Sequence, residues 1–181
     1  MSTAAKLADP AAGLAAQVSQ RYLLSFGSNM RVAGIGRPRD VICAAISDLE
    51  DLGLHFLAIS PIIQTKPVGP SLRCYANCAA VVETVRIPPS LLLLTKAVEE
   101  GLGRKRRGEA WRARTLDIDI VLWNGGIFAI EDISIPHPRY REREFVLGPA
   151  RAIAPDWKDP LTGLSLAHLF ARLTRPRPVT R

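Results

Sequence analysis

The sequence predicts an α+β domain: an antiparallel sheet with helices packed on one face. Runs of strand-forming residues alternate with two stretches of helical spacing in the order β-α-β-β-α-β, and proline or glycine marks the joins. A hydrophobic content of 48% against 23% charged residues lets 181 residues fill a core. That element order is the split βαβ unit of ferredoxin-like folds.

Residues 1–20 are Ala-rich, carry Asp9 and Pro10, and lack a basic start followed by an apolar core. They read as a flexible extension and not as a signal peptide. Arg21 to Ser28 is a short strand ending in the turn Gly27-Ser28-Asn29. Pro38-Arg39-Asp40 opens a helix whose apolar positions are Val41, Ile42, Ala45, Ile46, Leu49 and Leu52, and Gly53 stops it. A second strand spans Leu54 to Gln64, a loop follows at Lys66-Pro67-Val68-Gly69-Pro70, and a third strand spans Tyr75 to Val85. Pro88-Pro89-Ser90 starts the second helix, closed by Gly101 and Gly103. A basic loop, 103–114, leads to the last strand of the unit. Beyond it the sequence predicts an edge hairpin over 127–133 and helices over 141–152 and 164–173, all packing around one domain of residues 21–173. Residues 174–181 read as a flexible basic tail.

Composition narrows the classes of function. No apolar segment approaches the length of a membrane span. Three cysteines form no paired framework, and His55, His137 and His168 lack zinc-ligand spacing, so small buried thiols in a reducing cytoplasm are expected. The net charge of +7 is concentrated in 104–114 and in Arg172, Arg175, Arg177 and Arg181.

Chemistry collects around Thr115-Leu116-Asp117-Ile118-Asp119-Ile120-Val121-Leu122. Two-residue periodicity puts Asp117 and Asp119 on one face and Leu116, Ile118, Ile120 and Leu122 on the other. Two carboxylates side by side repel unless a cation joins them, and a Mg²⁺ held there also binds phosphate oxygens. The run Gly103-Arg104-Lys105-Arg106-Arg107, with Arg112 and Arg114, adds positive charge for the same phosphates, so the group reads as a polyphosphate site. Trp111 in that polar loop needs a packing partner, which a closing flap provides. Ile135-Pro136-His137-Pro138-Arg139 fixes His137 between prolines, where it serves phosphate or ribose or forms a surface turn. Thr65, Val68, Tyr75, Asn77 and Phe145 suit a flat heteroaromatic ring, with aromatics above and below and an amide at its edge.

Several stretches together resemble the 6-hydroxymethyl-7,8-dihydropterin pyrophosphokinase family. They are Phe26-Gly27-Ser28-Asn29, Thr65-x-Pro67-Val68-Gly69-Pro70, Tyr75-x-Asn77, Leu102-Gly103-Arg104-x-Arg106, Trp111-x-x-Arg114-Thr115-Leu116-Asp117-Ile118-Asp119, Ile135-Pro136-His137-Pro138-Arg139, Arg143-x-Phe145-Val146-Leu147 and Ile153-Ala154-Pro155-Asp156-Trp157. The resemblance implies transfer of diphosphate from ATP to the pterin hydroxymethyl oxygen, releasing AMP, in folate biosynthesis. It implies two Mg²⁺ ions on Asp117 and Asp119, with Arg104 and Arg114 on the triphosphate, assisted by Arg106, His137 and Arg143. Glu99, Ser134 and the backbone of Ile120 would lie near the nucleotide. Tyr75 and Phe145 would sandwich the pterin, Gly27, Thr65, Val68 and Asn77 would read its polar edge, and Trp111 would close over it. The family's Trp-Gly-Pro-Arg is here Trp111-Arg112-Ala113-Arg114. A cytoplasmic monomer is expected, with neither nucleic acid nor membrane as partner.

Two rival readings remain open at this point. A ferredoxin-like RNA-binding module needs exposed aromatics on adjacent strands. A nucleotidyltransferase of the Gly-Ser plus Asp-x-Asp type needs the acids soon after the Gly-Ser, whereas Ser28 and Asp117 are separated by most of the domain.

Overall fold

The computed structural model describes residues 18–66, 74–103 and 115–176. In order these form β1 (Gln20–Ser28), α1 (Pro38–Asp51), β2 (His55–Ile59), β3 (Ile63–Thr65), β4 (Tyr75–Thr84), α2 (Pro88–Gly101), β5 (Asp117–Trp123), β6 (Phe128–Ile130), β7 (Ile133–Ile135), a 3₁₀ turn (Tyr140–Glu142), α3 (Glu144–Ile153) and α4 (Leu166–Thr174). The main sheet runs β2-β4-β1-β5, every pair antiparallel, and β3 also pairs with β4. This is the expected ferredoxin-like order. The terminal stretches 1–17 and 177–181, and the loops 67–73 and 104–114, lie outside the described residues.

Both faces of the sheet are covered, where the sequence led us to expect helices on one. Tyr22, Leu24 and Phe26 of β1 pack with Val41, Ile42, Ala45 and Leu49 of α1 and Leu91 and Val98 of α2. On the opposite face Leu23, Ala79 and Val81 pack with Val146, Leu147 and Ala150 of α3 and Leu166 and Leu169 of α4. Burial on two sides explains why β1 and β4 read as nearly continuous apolar runs and not as alternating ones. No helix among the described residues is long and apolar enough to cross a membrane.

Three details depart from the sequence reading. The strand expected over 54–64 is broken at Ser60-Pro61-Ile62, because Pro61 has no N–H for the ladder. Ser60 bridges the break: its N–H donates to Ala79 O at 2.9 Å and its hydroxyl accepts from the Ala79 N–H at 3.0 Å. In β5, Leu23 pairs with Leu122 while Leu24 pairs with Ile120, so Val121 is an extra, bulged residue. Leu122 therefore joins the second core, not the face of Ile118 and Ile120. The cysteines are not all buried: Cys43 and Cys74 are exposed, and only Cys78 is inside, where burial first and the nearby Cys43 second push its thiol up to about 12.

Local signals mostly hold. The Asp40 carboxyl accepts from the Arg37 N–H at 2.8 Å and closes the start of α1. A side chain at Gly36 (φ +134°) would run into that carboxyl. Ser165 caps α4 by accepting from the His168 N–H. The turn before α4 depends on Asp159, which is fully buried. It accepts from Arg141 Nε and Nη2, each at 2.7 Å, from the Thr162 hydroxyl at 2.7 Å and from the Leu161 N–H at 3.1 Å. Burial opposes the charge, but the Arg141 fork, the hydroxyl and the amide outweigh it and hold the carboxyl at about 2.

Asp159 therefore favours the fold fully above the unfolded carboxyl value near 4 and loses its contribution as pH falls toward about 2. Asp159→Asn is expected to lower stability at pH 7 by about 3 kcal/mol and to flatten the acid limb of the stability curve. Urea unfolding across pH 2–7 checks this; an unchanged acid limb would contradict it.

Candidate active site

The site is laid out by strand register. Across β5, β1 and β4, Asp117 lies opposite Gly27 and Gly27 opposite Asn77, while Asp119 lies opposite Ser25 and Ser25 opposite Ala79. β3 extends these rows, with Ile63 opposite Asn77 and Thr65 opposite Tyr75. Directly paired residues share a face, so both acids, Gly27, Asn77, Tyr75 and Thr65 are on the side that α3 covers. The two acids thus project together, as their spacing predicts.

Arg143 and Phe145, where α3 begins, meet this face. Arg143 Nη1 donates to Asp119 Oδ2 at 3.2 Å, and its guanidinium lies 5.8 Å from the Phe145 ring centre. His137 Nε2 is 3.7 Å from the same Asp119 oxygen. The Asp119 side chain keeps 28% exposure, so these partners hold it at the surface and do not seal it inside. Arg143, expected on a triphosphate, is here a partner of the acid pair itself. His137 is anchored by its N–H, which donates to Val121 O at 3.0 Å, and its Nδ1 accepts from the Arg139 N–H at 3.2 Å. With Nδ1 an acceptor, the neutral ring carries its proton on Nε2, facing Asp119.

The neighbouring end of the same face carries a buried amide and a half-buried tyrosine. Asn77, 3% exposed, donates from Nδ2 to the Thr65 hydroxyl at 2.7 Å. This bond turns Oδ1 toward Gly27, where an added Cβ would stand 3.3 Å from it. The glycine therefore leaves the amide oxygen room. Tyr75 and Phe145 are half-buried, with Phe145 against the second core. α3 packs across β4 and also contacts β3.

Beyond the acids, β5 is the outer strand, and a groove of about 380 Å³ runs along it. Ile120, Ser134, His137 and Asp119 line it, all four expected at a nucleotide or metal site. Leu92, Ile130 and Pro138 supply apolar walls that the sequence reading missed, because the docking of α2 and of the β6–β7 hairpin is tertiary. Strand periodicity turns the main-chain groups of Ile118 and Ile120 to this open side. Glu99, 4% exposed on α2, accepts the Ile118 N–H at 2.7 Å. Val68, Arg104, Arg106, Trp111 and Arg114 lie outside the described residues.

Two carboxylates on one face, open to solvent, match what Mg²⁺ asks of a protein: one or two carboxylates, with phosphates and water completing six oxygens. No cluster of three or more His, Cys, Asp or Glu that could hold a metal ion occurs among the described residues.

His137 is expected to titrate below its usual 6.5. Desolvation by burial is the largest influence and lowers it, the Asp119 charge raises it, and the Arg143 charge lowers it again. Below about 6.5 the unfolded chain then takes up this proton more readily, so the His137 contribution makes the fold less stable as pH falls. Imidazole NMR shifts in metal-free protein check both midpoint and tautomer; a midpoint above 6.5 would mean that Asp119 dominates.

Comparison with known proteins gives this geometry a family. The model of the 7,8-dihydro-6-hydroxymethylpterin-pyrophosphokinase family matches residues 23–155. A 2-amino-4-hydroxy-6-hydroxymethyldihydropteridine pyrophosphokinase of Synechocystis sp. is 33% identical over 140 residues, 77% of this chain and 71% of that one. The Pseudomonas aeruginosa protein of the same name is 34% identical over 154 residues, 84% of this chain and 91% of its own length. Among solved structures, Plasmodium falciparum HPPK-DHPS with pteroate superposes with a TM-score of 0.65 at 15% identity, over 86% of this chain and 42% of that one, a likeness of fold. The present chain thus spans about two fifths of that larger protein. By the extent of the family match and the identity to its relatives, the chain belongs to the 7,8-dihydro-6-hydroxymethylpterin-pyrophosphokinase family.

Proposed function

We propose that the chain is an ATP-dependent pyrophosphokinase of folate biosynthesis, moving an intact diphosphate from ATP to the hydroxymethyl oxygen of 6-hydroxymethyl-7,8-dihydropterin. The new bond joins that oxygen to the β-phosphorus, the bond between the α,β-bridging oxygen and the β-phosphorus breaks, AMP leaves, and the hydroxyl proton goes to solvent. One observation carries the reading: Asp117 and Asp119 share a sheet face with Gly27 and Asn77, and Asp119 also lines a groove along an open strand edge. That order matches an acceptor ring, a reacting phosphate and a nucleotide base.

Each element has a task. Asn77, its amide set by Thr65, offers a carbonyl oxygen to an amino or ring N–H group of the pterin, while Tyr75 and Phe145 take the ring faces. Ile120 presents main-chain groups, and Ser134 a hydroxyl, to the base. Asp117 and Asp119 would hold two Mg²⁺ ions, which when bound neutralise charge on the transferring phosphates. Arg143 and His137 keep Asp119 aimed at that position. Arg104, Arg106 and Arg114 are assigned to the phosphates, and Val68 and Trp111 to the pterin, on the sequence motifs alone. We infer that the protein works as a cytoplasmic monomer, with no nucleic-acid or membrane partner.

The RNA-binding alternative is set aside. It requires aromatics displayed on an open sheet face, but Tyr22 and Phe26 are fully buried under α1 and α2, and α3 and α4 cover the other side.

Incubation with Mg-ATP and the reduced pterin is expected to release AMP only when both substrates and Mg²⁺ are present; ADP as product would reject diphosphate transfer. Asp119→Ala is expected to keep the fold and lose about 100-fold or more in turnover. Near-normal turnover in that variant would remove Asp119 from the metal role.

A further inference from the structure

We propose that Glu99 is a positioning residue for the acid pair, acting through the amide of Ile118. The inference rests on the reading that Asp117 and Asp119 hold the cation. Among the described residues β5 is supported by strand pairing on one side only. Asp117 and Asp119 are aligned with β1, while the N–H of Ile118, between them, points away from β1 toward the open edge. An edge amide is normally left to water. Here a carboxyl from α2, itself 4% exposed, reaches it at 2.7 Å. Burying a carboxyl is costly unless it is well bonded, and the Ile118 N–H is one of the bonds that hold this one in place.

The geometric effect is direct. This N–H belongs to the peptide unit joining Asp117 to Ile118. A tilt of that plane moves the Asp117 carboxylate directly and shifts Asp119 through Ile118, and a displacement of about 1 Å at a reacting centre is enough for a 100-fold loss. Glu99 thus does for the outer side of β5 what β1 does for the inner side. It ties the acid-bearing strand to α2, the helix that also gives Leu92 to the groove.

The test compares wild type with Glu99→Gln, which keeps an acceptor oxygen, and Glu99→Leu, which keeps bulk without one. Amide hydrogen exchange at Ile118 is read by NMR, along with the Mg²⁺ concentration giving half-maximal AMP release at saturating ATP. Glu99→Leu is expected to exchange Ile118 at least ~10-fold faster and to need about 10-fold more Mg²⁺, with Glu99→Gln within about 3-fold of wild type on both. The proposal fails if Glu99→Leu raises the KM for ATP while leaving the Mg²⁺ requirement and Ile118 exchange unchanged, since Glu99 would then contact nucleotide directly. If Glu99→Leu does not fold, wild type decides: Ile118 exchanging within about 10-fold of an unprotected amide overturns the proposal. A wild type that makes no AMP would sink the pyrophosphokinase reading, while the exchange comparison would still show whether Glu99 holds β5.

Discussion

The pairing of β5 against β1 is the constraint on which the site depends. It sets Asp119 opposite Ser25 and Asp117 opposite Gly27, and through β1 it fixes both acids relative to Asn77 on β4. Ile118 and Ile120 bury the reverse side of the strand in the core beneath α1 and α2. A slip of one residue would turn the carboxylates into that core and the isoleucines onto the face shared with Gly27 and Asn77. Hydrocarbon burial on one face therefore enforces the presentation of two charges on the other.

The bulge at Val121 ends this alternation just where it is no longer needed. Past it, Val121 and Leu122 both serve the second core, and Val121 O receives the His137 N–H. One irregular residue thus couples the end of the acid-bearing segment to the loop holding the histidine beside Asp119. Arg143 completes the link, because it precedes α3 and bonds the same carboxylate. The acid pair is braced from the sheet, from the β7–α3 connection and, by our inference, from α2.

Much of this was legible in the residues. Two-residue alternation at 116–120 gave the facing of Asp117 and Asp119, and Pro38, Pro88 and Gly53 marked helix ends because each acts through local backbone geometry. Thr65, Tyr75 and Asn77 could be grouped by chemistry, and the register of β3 on β4 brings them together. What stayed hidden was tertiary. Nothing local in Leu122 signals a bulge, and nothing in Ser60 says that its hydroxyl will stand in for a backbone group beside Pro61. The roles of Glu99 and Asp159 depend on partners 19 and 18 residues away, Ile118 and Arg141, respectively. The second helical layer was missed because α3 and α4 follow the repeating unit that defines the fold.

The placement of the thiols has a practical consequence. Cys74 is exposed and immediately precedes Tyr75, a residue we assign to the pterin, Cys43 is exposed on α1, and Cys78 is buried with its ionisation suppressed. Maleimide reagents need an accessible thiolate, so they discriminate among the three. With Cys43 changed to serine, a fluorophore would attach at Cys74 alone, next to Tyr75. The chain thus carries its own attachment point for an optical readout of ligand binding beside Tyr75, without an engineered cysteine.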